Sequence, residues 1–142
     1  MTQIPSFSIG ESWSILEGKN DNNPMIVRKN KWFDNFEHKS FYKYRAGIAF
    51  KILSPDKNGF PNSDEMVILN NVEDTIFDIF QSKNHSLIAT IITTSGFREY
   101  MLYTQNEAIF SSDFNSLNEK DLKYNFTSYV QEDPDWDGYN QF

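Results

Sequence analysis

Leu87-Ile88-Ala89-Thr90-Ile91-Ile92-Thr93-Thr94, then Ser95-Gly96, then Phe97-Arg98-Glu99-Tyr100-Met101-Leu102-Tyr103-Thr104 is the stretch that decides the fold. The first eight residues are rich in Ile and Thr, side chains that suit a pleated surface. Ser95-Gly96 is a two-residue connection, and glycine takes positive φ without a Cβ penalty. The stretch therefore predicts an antiparallel hairpin. On its N-terminal side, Asn62 opens the strongest helical pattern, with Met66, Leu69, Val72 (or Glu73), Ile76 and Phe80 recurring every three to four residues. Asn62 and Glu65 fit a capping box, in which Asn accepts an amide and Glu reaches back to the cap. On its C-terminal side, Phe114, Leu117 and Leu122 predict a second helix within 112–123, and Phe126–Gln131 reads as a closing strand.

Further towards the N-terminus, Phe41–Leu53 reads as a long strand and 55–61, with Asn58-Gly59, as a loop. Residues 31–39 have no clear period and read as a loop or short turn. Trp13–Glu17 and Met25–Lys29 flank the turn formers of 18–24 and predict an N-terminal hairpin. The expectation is a single α+β domain over 1–142. It has a hairpin at about 11–30, a ferredoxin-like (βαββαβ) core at about 41–131 with helices on one face of an antiparallel sheet, and an acidic aromatic tail at 132–142.

Composition limits the function. Thirteen Phe within an aromatic content of 16% point to a ring-rich core rather than a disordered chain. The absence of cysteine excludes disulfides, thiolate metal sites and cysteine nucleophiles. The start, Met1-Thr2-Gln3-Ile4-Pro5-Ser6, shows no secretory leader, and no apolar run reaches membrane-spanning length, so a cytoplasmic protein is expected. Charge is uneven. Residues 1–61 carry nine Lys/Arg against six Asp/Glu, 62–104 two against six, and 105–142 two against eight. An acidic C-terminal half repels phosphate backbones and favours basic partners.

Glu132-Asp133-Pro134-Asp135-Trp136-Asp137-Gly138-Tyr139 interleaves four acids with large rings. Such a tail is either tied onto the domain or held ready for a partner. Asp133, Asp135, Asp137 and Gly138 match the opening of a calcium loop, but the bidentate Glu that an EF-hand needs six residues after the glycine is missing. A structural role is the better account, with Trp136 and Tyr139 packing the tail and Asp133 or Asp135 capping a turn. No metal and no cofactor are expected.

The segment Ile91–Thr104 resembles the central hairpin of a bacterial domain-of-unknown-function 695 family. Trp13, Ile26-Val27-Arg28 and the Asp133-Pro134-Asp135-Trp136-x-x-Tyr139 ending extend the likeness over most of the chain. That ending is also similar to one in the regulator of ribonuclease activity B, a ferredoxin-like protein that inhibits an endoribonuclease by binding it. The resemblance implies a ferredoxin-like fold and a non-enzymatic, protein-binding habit.

His38 and His85 have no second histidine at ligand spacing, and the paired carboxylates Asp64/Glu65, Glu73/Asp74 and Glu132/Asp133 read as solvated charge. Arg98-Glu99 in the central hairpin reads as a cross-strand surface pair or as the mark of a functional face. The function expected is a non-catalytic acidic inhibitor or regulator. Its most concrete form is an immunity protein that neutralises a basic partner such as a nuclease toxin. The expected partner-binding residues are Asp74, Asp78, Arg98, Glu99, Asp133, Asp135, Trp136, Asp137 and Tyr139, with no membrane partner. Two alternatives stand beside it. One is an RNA-binding module that uses the basic, aromatic stretch 28–45. The other is an enzyme with His38 or His85 in a pocket beside carboxylates.

Overall fold

The central hairpin forms as read. In the computed structural model, which describes residues 6–142, β4 (Ser86–Thr94) and β5 (Phe97–Thr104) pair antiparallel around Ser95 and Gly96, at φ 55° and 81°. The N-terminal residues 1–5 lie outside the described residues. Around the hairpin the chain runs β1 (Trp13–Asn20), β2 (Asn23–Asn30), β3 (Tyr44–Lys51), α1 (Ser63–Gln81), β4, β5, α2 (Glu107–Asn118), β6 (Thr127–Glu132) and α3 (Asp137–Asn140). The six strands make one sheet in the order β1-β2-β4-β5-β3-β6, and every neighbouring pair is antiparallel. The protein is thus a mixed α/β domain with a six-stranded antiparallel sheet and three α-helices.

Several boundaries differ from the sequence reading for local reasons. The N-terminal strands run on through Gly18 and Pro24 to a two-residue turn at Asp21-Asn22, both at positive φ, which Asp and Asn tolerate better than most residues. Residues 31–39 are not a plain loop. They begin a 3₁₀ helix at Lys31–Asn35, capped by the Asn30 side chain, and a second 3₁₀ turn covers Lys39–Phe41. Strand β3 accordingly starts at Tyr44 rather than Phe41. Helix α2 lies five residues earlier than expected at each end. Asn106 caps it by accepting from Ile109 N at 2.9 Å, and its inward residues are Phe110 and Leu117, while Leu122 packs beyond its end.

The sheet is covered on both sides, which corrects the expectation of helices on one face. On one side α1 and α2 bury Leu69, Val72, Ile76, Phe80, Phe110 and Leu117 against Ala46, Ile48, Phe50, Ile88, Ile91, Tyr100 and Leu102. A β-bulge at Ala89 shifts the register of β4 against β5, so that Ile88 and Ile91 face the same core while Leu87 and Ala89 face the other. On the opposite side a second aromatic core unites Phe33, Phe36 and Tyr42 with Leu87, Met101 and Tyr103, closed by Trp136 and Tyr139 from the tail. α3 therefore sits across the sheet from α1 and α2.

Glu65 does not complete the capping box. Asn62 Oδ1 accepts from Glu65 N at 2.8 Å, but the Glu65 carboxylate turns inward. It accepts from the amides of Leu53 (2.8 Å) and Ser54 (2.6 Å) and from the Tyr124 hydroxyl (2.6 Å). One carboxylate thereby ties the end of β3, the start of α1 and the segment before β6. Burial pushes its pKa up, but these three donors and the nearby Arg98 charge outweigh burial, and the group titrates below the usual glutamate value. Glu65→Gln should lower unfolding stability by about 2–3 kcal/mol, because an amide cannot accept from all three donors. Asn62→Ala should cost only about 1 kcal/mol. Urea denaturation at neutral pH measures both, and equal losses would contradict the tie.

Candidate functional site

The acidic tail is built around Asp133. Its amide donates to Lys43 O (2.7 Å), and its buried carboxylate accepts from the Tyr103 hydroxyl (2.7 Å) and from the amides of Asp137 (2.9 Å) and Gly138 (3.0 Å). Asp133 thus caps α3, as the structural reading of the tail required of Asp133 or Asp135. Trp136 stands at φ 58°, and its ring stacks on Tyr103 at 4.0 Å and 8°. Its Nε1 donates to Tyr42 O at 2.9 Å. The Tyr139 hydroxyl lies 2.7 Å from Asp34 Oδ1, and Lys29 Nζ sits 4.2 Å over its ring. The Arg45 guanidinium packs so closely on Gly138 that a Cβ there would fall 2.1 Å from Nη1.

These contacts decide what the tail offers a partner. Trp136 and Tyr139 are wholly buried and Asp133 nearly so, so as placed they are not surface anchors, which corrects their assignment to a partner-binding surface. Asp135 and Asp137 remain exposed. The calcium-loop pattern is used up in the same way, because three donors occupy the Asp133 oxygens that a cation would need.

Arg98 and Glu99 point to opposite faces of β5. Glu99 accepts from the Tyr129 hydroxyl (2.8 Å) on the second face, at the end that the tail does not cover. Arg98 lies beneath the first turns of α1, 6% exposed, with Nε donating to Thr93 Oγ1 at 3.0 Å. The surface cross-strand pair is therefore not formed. The basic, aromatic stretch is also divided. Phe33, Phe36 and Tyr42 are core residues, Lys29 caps Tyr139, and Arg28 forms a bidentate pair with Glu73, which also accepts from the Tyr100 hydroxyl (3.0 Å). Rings meant to stack on bases are largely interior.

His85 Nδ1 is 3.7 Å from Asp113 Oδ2. Burial raises the Asp113 pKa, and the charges of His85 and Lys83 lower it, with burial the larger effect. His38 packs edge-on against Phe36 and lines an open depression of about 500 Å³ with Glu37, Lys31 and Trp32. Among the described residues it hydrogen-bonds to no carboxylate or hydroxyl.

An acidic surface runs along α1. Asp74 and Asp78 are exposed on it; Asp74 borders two neighbouring grooves and Asp78 one of them. One holds Glu11, Trp13, Arg28, Glu73 and Phe77. The other holds Phe7, Ile9, Phe77 and Gln81. Trp13 and Phe77 meet edge-to-face at 6.2 Å and form an aromatic floor. Glu73 is neutralised by Arg28, whereas Glu11, Asp74 and Asp78 form no ion pair among the described residues. Asp74 and Asp78 were legible in the sequence. Glu11, Trp13 and Phe77 were not grouped with them, because β1 and α1 meet only through the sheet order.

The profile of a family of unknown function, DUF695, matches residues 11–142. The chain belongs to the DUF695 family. The matched span takes in both sheet faces and the whole tail, so the clasp of Asp133, Trp136 and Tyr139 lies inside the DUF695 domain. No curated protein and no solved structure matches the chain. No helix among the described residues is long and apolar enough to cross a membrane.

Burial raises the Asp133 pKa, but donation from Tyr103, Gly138 and Asp137 and the Arg45 charge outweigh it, so its folded value lies below the ordinary one. Its stabilisation is therefore complete above the unfolded aspartate value near ~4 and is lost as pH falls through the folded value. Asp133→Asn should cost about 2–4 kcal/mol near neutral pH and flatten the acid limb of the stability curve. Trp136→Ala should cost about 3–5 kcal/mol with the acid limb kept. Urea midpoints at about pH 7 and about pH 3 test both, and an Asp133→Asn variant as stable as the parent would refute the cap.

Proposed function

We propose that this DUF695 protein is a non-catalytic, acidic binding module that takes a basic segment of another protein along α1. The observation that carries this is the set of carboxylates without an ion pair among the described residues, Glu11, Asp74 and Asp78, around the Trp13–Phe77 floor. Exposed charges steer encounter, and half-buried rings beside them supply area that can be desolvated. Asp135 and Asp137 add negative charge elsewhere on the surface. An immunity protein or regulator neutralising a nuclease toxin is the most concrete form, because enzymes that grip phosphate backbones present basic clefts. The likeness of the ending to the regulator of ribonuclease activity B supports the same habit.

The ferredoxin-like reading of the core belongs to this proposal too. Within the sheet, the order β4-β5-β3-β6 with α1 and α2 on one face supports it. The N-terminal hairpin then extends the core at the β4 edge, through β2.

The double variant Asp74→Asn with Asp78→Asn should weaken binding of the basic partner roughly two- to thirtyfold at low salt, as expected from two exposed pairs of about 0.2–1 kcal/mol each. Its affinity should also depend less on salt. Asp135→Asn with Asp137→Asn, away from the groove, should change affinity less. Affinity capture from the native host at low and high salt, followed by titration of the purified partner, measures this. Equal affinity and salt dependence for the Asp74/Asp78 variant and the parent would reject the groove.

A further inference from the structure

Arg98 is an unusual group to find inside a protein. A guanidinium carries five N–H donors and no acceptor, and a buried one is ordinarily matched by carboxylates or several carbonyls. Arg98 is 6% exposed, yet only its Nε–H is used, by Thr93 Oγ1 at 3.0 Å. Among the described residues its Nη groups meet no acceptor, and no carboxylate forms an ion pair with it. The acids nearby are committed elsewhere. Glu65 is held by Leu53, Ser54 and Tyr124, and Glu73 by Arg28 and Tyr100. The Nη groups are not sealed in the interior, where donors without partners would be costly; they border accessible space.

The same side chain lines a cavity of about 280 Å³ between β2, β4, β5 and the first turns of α1. Its walls are Ile26, Ile91, Met66, Phe60 and Pro61, with Arg28, Thr93 and Asn70 as the other polar members. At about 30 Å³ for each water of liquid, this is space for roughly nine water-sized groups. Small-molecule sites characteristically combine apolar walls with a few placed polar groups. Arg28 has its charge met by Glu73, so among the described residues Arg98 is the cavity's guanidinium without a carboxylate partner.

We infer that this cavity binds a small amphiphilic carboxylate. The Arg98 guanidinium holds its head through two parallel N–H donors, and its aliphatic tail lies against Ile26, Phe60, Met66 and Ile91. A planar fork matches a carboxylate in bidentate fashion. A single negative charge suits a site with one unmatched cation, and apolar walls favour a hydrocarbon tail over a second ionised group. The site adjoins the acidic groove, with Arg28 and Ile91 between them, but Glu11, Asp74 and Asp78 do not line it.

Titrating the full ¹⁵N-labelled chain with hexanoate, 1-hexanol and inorganic phosphate, followed by amide and Arg Nε–H chemical shifts, tests this. Hexanoate should give saturable shifts concentrated at residues 60–70 and 91–98, including the Arg98 Nε–H. Hexanol and phosphate should give much weaker ones. Arg98→Gln should weaken hexanoate binding about tenfold or more, which corresponds to 1.4 kcal/mol or more for a lost charge-assisted pair. If that variant fails to fold, Asn70→Glu supplies a competing carboxylate from an exposed rim position and should weaken binding by a similar factor. No saturable shift with hexanoate, equal binding of hexanol, or shifts with phosphate alone would each overturn the assignment.

Discussion

The Asp133 carboxylate is the constraint on which one half of this molecule depends. It accepts from a strand residue, Tyr103, and from two amides of the tail, so it fixes α3 to the middle of the sheet. Only with α3 in that place does the Trp136 ring lie flat on Tyr103 with its Nε1 against Tyr42 O. Burying a tryptophan removes about 150–250 Å² from water, a gross gain of about 4–6 kcal/mol at 25 cal/mol per Å². That gain becomes available only because the charge beneath it is matched, since an unmatched buried carboxylate would cost several kcal/mol. The apolar term at this site therefore depends on the polar one.

The other half of the molecule uses the same device with different parts. Glu65 turns inward from the first turn of α1 and Asp133 lies at the start of α3, and each gathers two backbone amides and one tyrosine hydroxyl. Each joins segments far apart in sequence, Ser54 to Tyr124 in one case and Tyr103 to Gly138 in the other. Burial of the tyrosines and their donation to carboxylates raise the pKa values of Tyr103 and Tyr124. Both hydroxyls therefore stay protonated and act as permanent donors. A sheet covered on both faces in this way has two cores, each locked by a single buried acid.

How much of this was legible follows from the range of each interaction. The central hairpin, α1 and its Asn62 cap depend on neighbours within a few residues, and the sequence displays those neighbours directly. Helix α2 was misplaced because Phe114, Leu117 and Leu122 fit a helical spacing, although the cap at Asn106 and the inward Phe110 lie upstream. The second aromatic core was hidden for another reason. Phe33, Phe36 and Tyr42 follow no period, because short 3₁₀ turns rather than a long element present them to the sheet. The same residues consequently looked like an exposed stacking surface.

Charged residues were hardest to place, since residue type does not reveal burial. Asp133 and Asp135 are two positions apart, with one carboxylate consumed by the fold and the other in solvent. Glu73 and Asp74 divide likewise, because Arg28 reaches α1 from β2 and takes only Glu73. The charge a partner meets is therefore not the sum over the sequence but what is left after internal pairing. That remainder favours the α1 groove over the tail as the acidic surface, although the tail is the denser run of acids. The same subtraction applied to cations removes Arg28 and Lys29 from the basic stretch, and outside that stretch it shows Arg98 without a carboxylate partner among the described residues.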